Sequence, residues 1–177
     1  MNEKSLFQPR GICSHCLSFA YYTGFRPGDI IGLKWEHINF RTKIITKIIE
    51  KIAHKHPEPM SFPIPDKLIE ILLEWRKQNG IPLKGWVFPN NSTGKRMGRK
   101  AMNDPWKKIR KLAKLPGELE LYTLRHNFAS HLIMNNIDLL TVSKLMGHAD
   151  IKTTIDNYGH LRPDANFEAS NVFAQIA

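Results

Sequence analysis

No stretch of the sequence approaches the ~18 consecutive apolar residues that a membrane-spanning helix needs. Met1 to Arg10 also lacks the apolar centre of a secretory signal. The expectation is a cytoplasmic protein with no membrane partner. Cysteine is nearly absent: Cys13 and Cys16 form one Cys-Ser-His-Cys group, with no second pair at zinc-finger spacing. That excludes a disulfide scaffold, and the two cysteines read as ordinary helix positions, a metal or redox role being the lesser alternative. His54 and His56 have no Cys or Asp nearby and read as a solvated loop. No metal and no other cofactor is expected. Internal repeats and low-complexity tracts are missing too, so 177 residues, 42% of them hydrophobic, read as one compact domain.

Acidic residues are the last scarcity. Against 26 Lys and Arg stand only 16 Asp and Glu, a formal charge of +10 at pH 7, which points to a polyanionic partner. The excess is concentrated. Between Lys95 and Lys114 lie nine basic residues (Lys95, Arg96, Arg99, Lys100, Lys107, Lys108, Arg110, Lys111, Lys114) and one acid, Asp104. Such density on one short segment predicts contact with a phosphate backbone; a solvated helix face is the plainer alternative.

The periodicities predict a mainly helical domain with a small antiparallel sheet (α+β). Cys13 to Tyr22 reads as a first helix, and a second begins near Pro27, a favoured first helical position. Two extended segments rich in branched residues, Lys43 to Glu50 and Ser61 to Ile64, predict a β-hairpin with a long polar tip. Asp66 should cap a helix whose broad apolar face includes Leu68, Ile69, Ile71, Leu72, Leu73 and Trp75, closed by Gly80. A short apolar run, Trp86 to Phe88, and a loop precede a basic helix from about Lys100 to Ala113. Short helices follow: Leu124 to Asn135 behind a Thr123 cap, Leu139 to Met146 behind Asp138, and Ile151 to Tyr158 behind Asp150. Phe167, Val172, Phe173 and Ile176 fall at near-helical spacing in a tail, 164–177.

Three phrases carry the chemistry. They are Tyr22-Thr23-Gly24-Phe25-Arg26-Pro27-Gly28-Asp29; Leu124-Arg125-His126-Asn127-Phe128-Ala129-Ser130-His131; and Leu145-Met146-Gly147-His148, followed by Tyr158-Gly159-His160. In this order they resemble the catalytic domain of the tyrosine recombinase (phage integrase) family, over about Phe19 to Leu161. The resemblance implies that fold, and cleavage and rejoining of double-stranded DNA through a covalent 3′-phosphotyrosine, without cofactor.

Under the resemblance, Tyr158 is the nucleophile, Arg26 and Arg125 hold the scissile phosphate, and His148 donates to the phosphate or orients the nucleophile. The residue types suit these tasks. A guanidinium fork matches phosphate geometry and stays charged, and charge developing on non-bridging oxygens calls for fixed cationic donors. Asp29 is implied to brace the first arginine, though an Arg26–Asp29 ion pair would arise structurally as well. A hairpin lysine is implied to protonate the leaving oxygen: Lys51, sixteen residues after Trp35, with Lys47 and Lys55 open as alternatives. Where the family most often has a histidine, three residues before the second arginine, this chain has Tyr122; a site position and plain packing are both open.

The family's N-terminal DNA-binding domain is not expected within 1–177, which read as the catalytic domain alone, with 164–177 a tail docking on its own domain or on a neighbouring subunit. A monomer in solution that assembles as a multimer on DNA is the expected state. A prophage or other mobile element is the expected context, with the protein encoded by a bacterium or phage and acting at the nucleoid. A non-catalytic DNA-binding remnant and a relaxing topoisomerase are the competing readings.

Overall fold

The computed structural model describes residues 11–98 and 100–162. Met1 to Arg10, Arg99 and the tail 164–177, with the expectations placed on them, lie outside those residues. Within them the chain forms seven α-helices and one three-stranded antiparallel sheet, the predicted class.

Helix α1 (Ile12–Thr23) stops where Gly24 turns left-handed at φ 62° and donates its N–H to Ala20. α2 (Pro27–Ile31) follows, with Pro27 opening it. A 3₁₀ turn at Trp35–His37 leads to β1 (Ile38–Asn39), too short to show any alternation in the sequence. β1 pairs with β2 (Ile44–Lys47), and β2 with β3 (Met60–Pro63), in the register Ile45 opposite Ile38 and Phe62. β2 alternates in burial, Ile45 and Lys47 inward and Thr46 outward. The predicted strand was longer. Beyond Lys47 the chain leaves the ladder, because Glu50 donates its backbone N–H to the Asp29 carboxylate at 3.1 Å and a 3₁₀ turn forms over Glu50–Ile52.

Helix α3 (Asp66–Gln78) buries Leu68, Ile69, Leu72 and Trp75, one stripe of the broader predicted face, and leaves Leu73 at the surface. Its cap differs too: Asp66 makes no capping bond and instead pairs with Lys43 at 2.6 Å. Trp75 donates its indole N–H to the Val87 carbonyl at 2.7 Å, which docks the short apolar run on this helix. α4 (Asn103–Leu112) is the basic helix, attached by one buried side chain, Trp106. α5 (Thr123–Met134) begins without a Thr123 cap, Tyr122 occupying that place. α6 (Leu139–Leu145) is capped as predicted by Asp138, which accepts from Thr141 N. Asp150 accepts from the Lys152 amide at 2.8 Å as α7 (Lys152–Tyr158) opens.

Two apolar clusters result. The larger gathers α1, α2, the sheet and α3 around Phe19, Ile30, Leu33, Ile45, Leu68, Leu72 and Phe88. The smaller joins α5, α6 and α7 through Ala129, Ile133, Val142, Met146 and Tyr158. Arg26 and Arg125 tie the two together, bonding the carbonyls of Gly147 and Met146.

Candidate active site

The two arginines are fixed by backbone carbonyls at two left-handed glycine turns. Arg125, in the first turn of α5 and 2% exposed, donates Nη1 to the Gly24 carbonyl at 2.7 Å and Nη2 to that of Met146 at 2.6 Å. Arg26 donates Nη1 to the Gly147 carbonyl at 3.2 Å. Each turn requires glycine. At Gly24 a Cβ would lie 2.5 Å from the Phe128 ring at φ +62°, and at Gly147 one would lie 3.2 Å from Ile49 at φ +59°. A guanidinium has five N–H donors, so both arginines keep donors beyond these carbonyls. Nε of each is buried without a partner among the described residues, a state that native proteins seldom leave uncompensated. Burial, and then the charge of Arg26, lower Arg125 to about 10, which still leaves it a cation at neutral pH.

The remaining two residues complete a circuit. His148 follows Gly147 and places Nδ1 2.8 Å from the Thr154 hydroxyl, which is one helical turn before Tyr158 on the buried side of α7. The Tyr158 hydroxyl lies 2.7 Å from Nδ1 of His126, the neighbour of Arg125. Thus Arg26, Gly147–His148, Thr154, Tyr158, His126–Arg125 and Gly24 are linked in a ring of hydrogen bonds and short chain steps. Electrostatics follow from this packing. Burial, with the charges of Arg125, Arg26 and Lys51, lowers His148 to about 4, so its imidazole is neutral at neutral pH. Burial raises the Tyr158 phenol despite the two arginines, so those cations alone do not make it a phenoxide.

Asp29 is placed differently from the brace the resemblance implied. Its carboxylate turns toward the sheet and pairs with Lys47 at 3.2 Å, both side chains 3% exposed, and Lys47 also donates to the Asp29 carbonyl at 3.0 Å. The physical reason is β2's alternation, which points Lys47 inward, where a buried ammonium needs an anion. Of the three hairpin lysines, Lys47 is thereby committed and Lys55 sits in an exposed turn. Lys51 lines a cavity of about 420 Å³ with Arg26, Gly28, Asp29 and Glu50. Tyr122 is 38% exposed beside Arg125, its ring edge-on to His126 at 5.0 Å.

The basic segment divides. Lys95, Lys100, Lys107, Lys108 and Lys111 are exposed. Two of its arginines serve the fold: Arg96 pairs with Glu50 at 2.5 Å and donates to the Gly28 carbonyl, and Arg110 donates to the Leu119 carbonyl at 2.9 Å. Cys16 is buried and free, and His15 bonds the Gly11 carbonyl and packs on Trp75, so that group is part of α1's packing. Among the described residues no helix is long and apolar enough to cross a membrane. Sequence reasoning overlooked Lys47's burial, His126 and Thr154. The signals were present: alternation with Ile45 for Lys47, adjacency to Arg125 for His126, and a four-residue spacing from Tyr158 for Thr154.

Comparison with known proteins bears on the family and the fold. The phage integrase family matches residues 4–164. Tyrosine recombinase XerC of Pseudomonas entomophila is 34% identical over 153 residues, covering 82% of this chain and 46% of that protein. A XerC-like tyrosine recombinase of Caldanaerobacter subterraneus is 30% identical over 175 residues, covering 81% of this chain and 44% of that protein. The chain therefore spans a little under half the length of these curated relatives. Among solved structures, the Tn1549 transposon integrase in complex with transposon right end DNA superposes with a TM-score of 0.73 at 15% identity, covering 92% of this chain and 59% of that one. The XerH site-specific recombinase in a post-cleavage complex with palindromic difH substrate gives 0.71 at 23% identity, covering 92% of this chain and 46% of that one.

Proposed function

The chain belongs to the phage integrase family, and from that premise we propose that it carries the catalytic site of a site-specific DNA recombinase. Tyr158 attacks a phosphodiester of duplex DNA, forming a 3′-phosphotyrosine and releasing a 5′-hydroxyl. The bond energy retained in that ester lets the strand be rejoined without ATP. The observation that carries this reading is the hydrogen-bonded ring, which gathers Arg26, Arg125, His148 and Tyr158 from distant parts of the sequence at one seam.

In this site the guanidinium donors of Arg26 and Arg125 face the non-bridging oxygens, where charge builds in the transition state. Nδ1 of neutral His148 lies 2.8 Å from the Thr154 hydroxyl, and in the tautomer with its proton on Nε2 the ring presents that proton to the phosphate. Lys51, on the wall of the same cavity as Arg26, protonates the departing 5′-oxygen. The exposed lysines around α4 track the flanking backbone. The biological setting proposed is integration or excision of a prophage or other mobile element in the bacterial cytoplasm at the nucleoid, by protomers that are monomeric in solution and assemble on DNA.

The test is covalent capture. The intact protein is incubated with a randomised library of nicked duplexes, and adducts are resolved on a denaturing gel beside Tyr158→Phe. A band present in the wild type and lost in the variant supports the reading, and absence of any wild-type adduct overturns it. A second reading, DNA binding without cleavage, is favoured by Tyr122 standing where a histidine base is usual; it predicts salt-sensitive binding with no adduct.

A further inference from the structure

We propose that His126 is the general base for Tyr158. This rests on the reading of Tyr158 as nucleophile and names a catalytic residue that reading leaves unassigned. In the cleavage step the Tyr158 oxygen bonds to phosphorus while the bond from phosphorus to the 5′-oxygen breaks. The phenolic proton passes to Nδ1 of His126, and the leaving oxygen takes a proton from Lys51. Rejoining reverses each transfer, so neither group needs a further reactant.

Geometry carries the assignment. The Tyr158 hydroxyl and His126 Nδ1 are 2.7 Å apart, within the reach proton transfer requires. His126 is exposed on α5, so Nε2 can keep its proton in contact with solvent while Nδ1 accepts. The other groups near the nucleophile are less suited. His148 directs Nδ1 at Thr154 and, surrounded by cations, is a weak base. Tyr122 is a phenol, which accepts a proton poorly near neutrality. The titratable side chains packed against His126 are Tyr122, at the N-cap of α5, and Tyr158 on α7. Tyr122 and His126 are four residues apart, so both lie on the face of α5 that meets the nucleophile. The base is thus displaced one turn along the helix from the position where a histidine is usual.

The experiment measures single-turnover adduct formation by the intact protein on a duplex recovered from the covalent-capture library. Two forms of that duplex are compared, one natural and one with sulfur as the bridging 5′ atom. His126→Gln is expected to slow formation by about 100-fold or more at neutral pH with DNA affinity unchanged, the scale of lost general-base catalysis. Sulfur leaves without needing a proton, so it restores Lys51→Ala but not His126→Gln. Nitrogen NMR of the DNA-free protein should find Nδ1 of His126 without a proton, and a proton there at neutral pH would overturn the assignment.

A Tyr158-dependent adduct formed at an unchanged rate by His126→Gln would overturn the base and leave the recombinase reading standing. No adduct from the wild type removes both.

Discussion

The two apolar clusters hold the site's two halves by different means. Arg26 and Arg125 are clamped where the clusters meet: Arg26 opens α2, which packs in the larger cluster, and Arg125 on α5 bonds the Gly24 carbonyl at the end of α1 as well as that of Met146. Tyr158 belongs to the smaller cluster, on a seven-residue helix whose buried residues are Thr154 and Tyr158. Electrostatic stabilisation needs fixed donors, whereas a nucleophile has to advance on phosphorus and retreat. The difference between clusters therefore matches the tasks, since elements with few buried contacts open at lower cost.

The most severe way to break that contrast is to damage the rigid half. Lys47→Ala leaves the Asp29 carboxylate buried without its cation and is expected to cost about 3–5 kcal/mol in a urea melt. Replacing both partners, as Lys47→Met with Asp29→Asn, should recover most of the loss, because no uncompensated charge then remains. Recovery would show that the pair serves the packing of α2 on the sheet rather than catalysis. Next in size is Arg125→Lys. An ammonium cannot span the Gly24 and Met146 carbonyls and still face a phosphate, so adduct formation should fall by about 10²–10³-fold with DNA binding largely kept.

A smaller change tests the hinge between clusters. Gly147→Ala forces a left-handed conformation on a residue with a Cβ and presses it against Ile49, for about 1–2 kcal/mol. Hydrogen exchange should then quicken in α6 and α7 while α1 and α3 keep their protection. Uniform loss of protection would mean that the clusters unfold as one unit and that the contrast does not hold.

What the sequence made legible, and what it did not, divides along the same line. Helix positions, the two glycine turns and Arg26, Arg125, His148 and Tyr158 were readable because local patterns and ordered phrases specify them. Pairings across the fold were not. Nothing local tells that the Asp29 carboxylate pairs with Lys47, 18 residues on, while Arg26 turns to the Gly147 carbonyl; tertiary packing decides. The charge count around Lys95 to Lys114 likewise treated all its residues alike, whereas Arg96 and Arg110 are bonded to the carbonyls of Gly28 and Leu119. β1 escaped notice because two residues carry no periodicity.

The smallest effect concerns the corner between α6 and α7 and depends on pH. In the folded chain His148 is lowered to about 4 from an ordinary value near 6.5, by burial first and then by Arg125, Arg26 and Lys51. Between those values the unfolded chain binds the proton and the folded one does not, so protonation favours unfolding. The contribution of this neutral histidine is fully present above about pH 6.5 and declines as pH falls toward 4. Urea melts across that window should show the decline in the wild type and a shallower one in His148→Gln. Bound DNA inverts the balance, because a phosphate beside His148 favours the imidazolium and offsets the arginines. The acid-induced loss should therefore shrink when a non-cleavable duplex is bound to Tyr158→Phe, in which the nucleophile is removed and the cationic half is intact. If it does not shrink, the phosphate does not reach His148, and the two halves of the site do not share one anion.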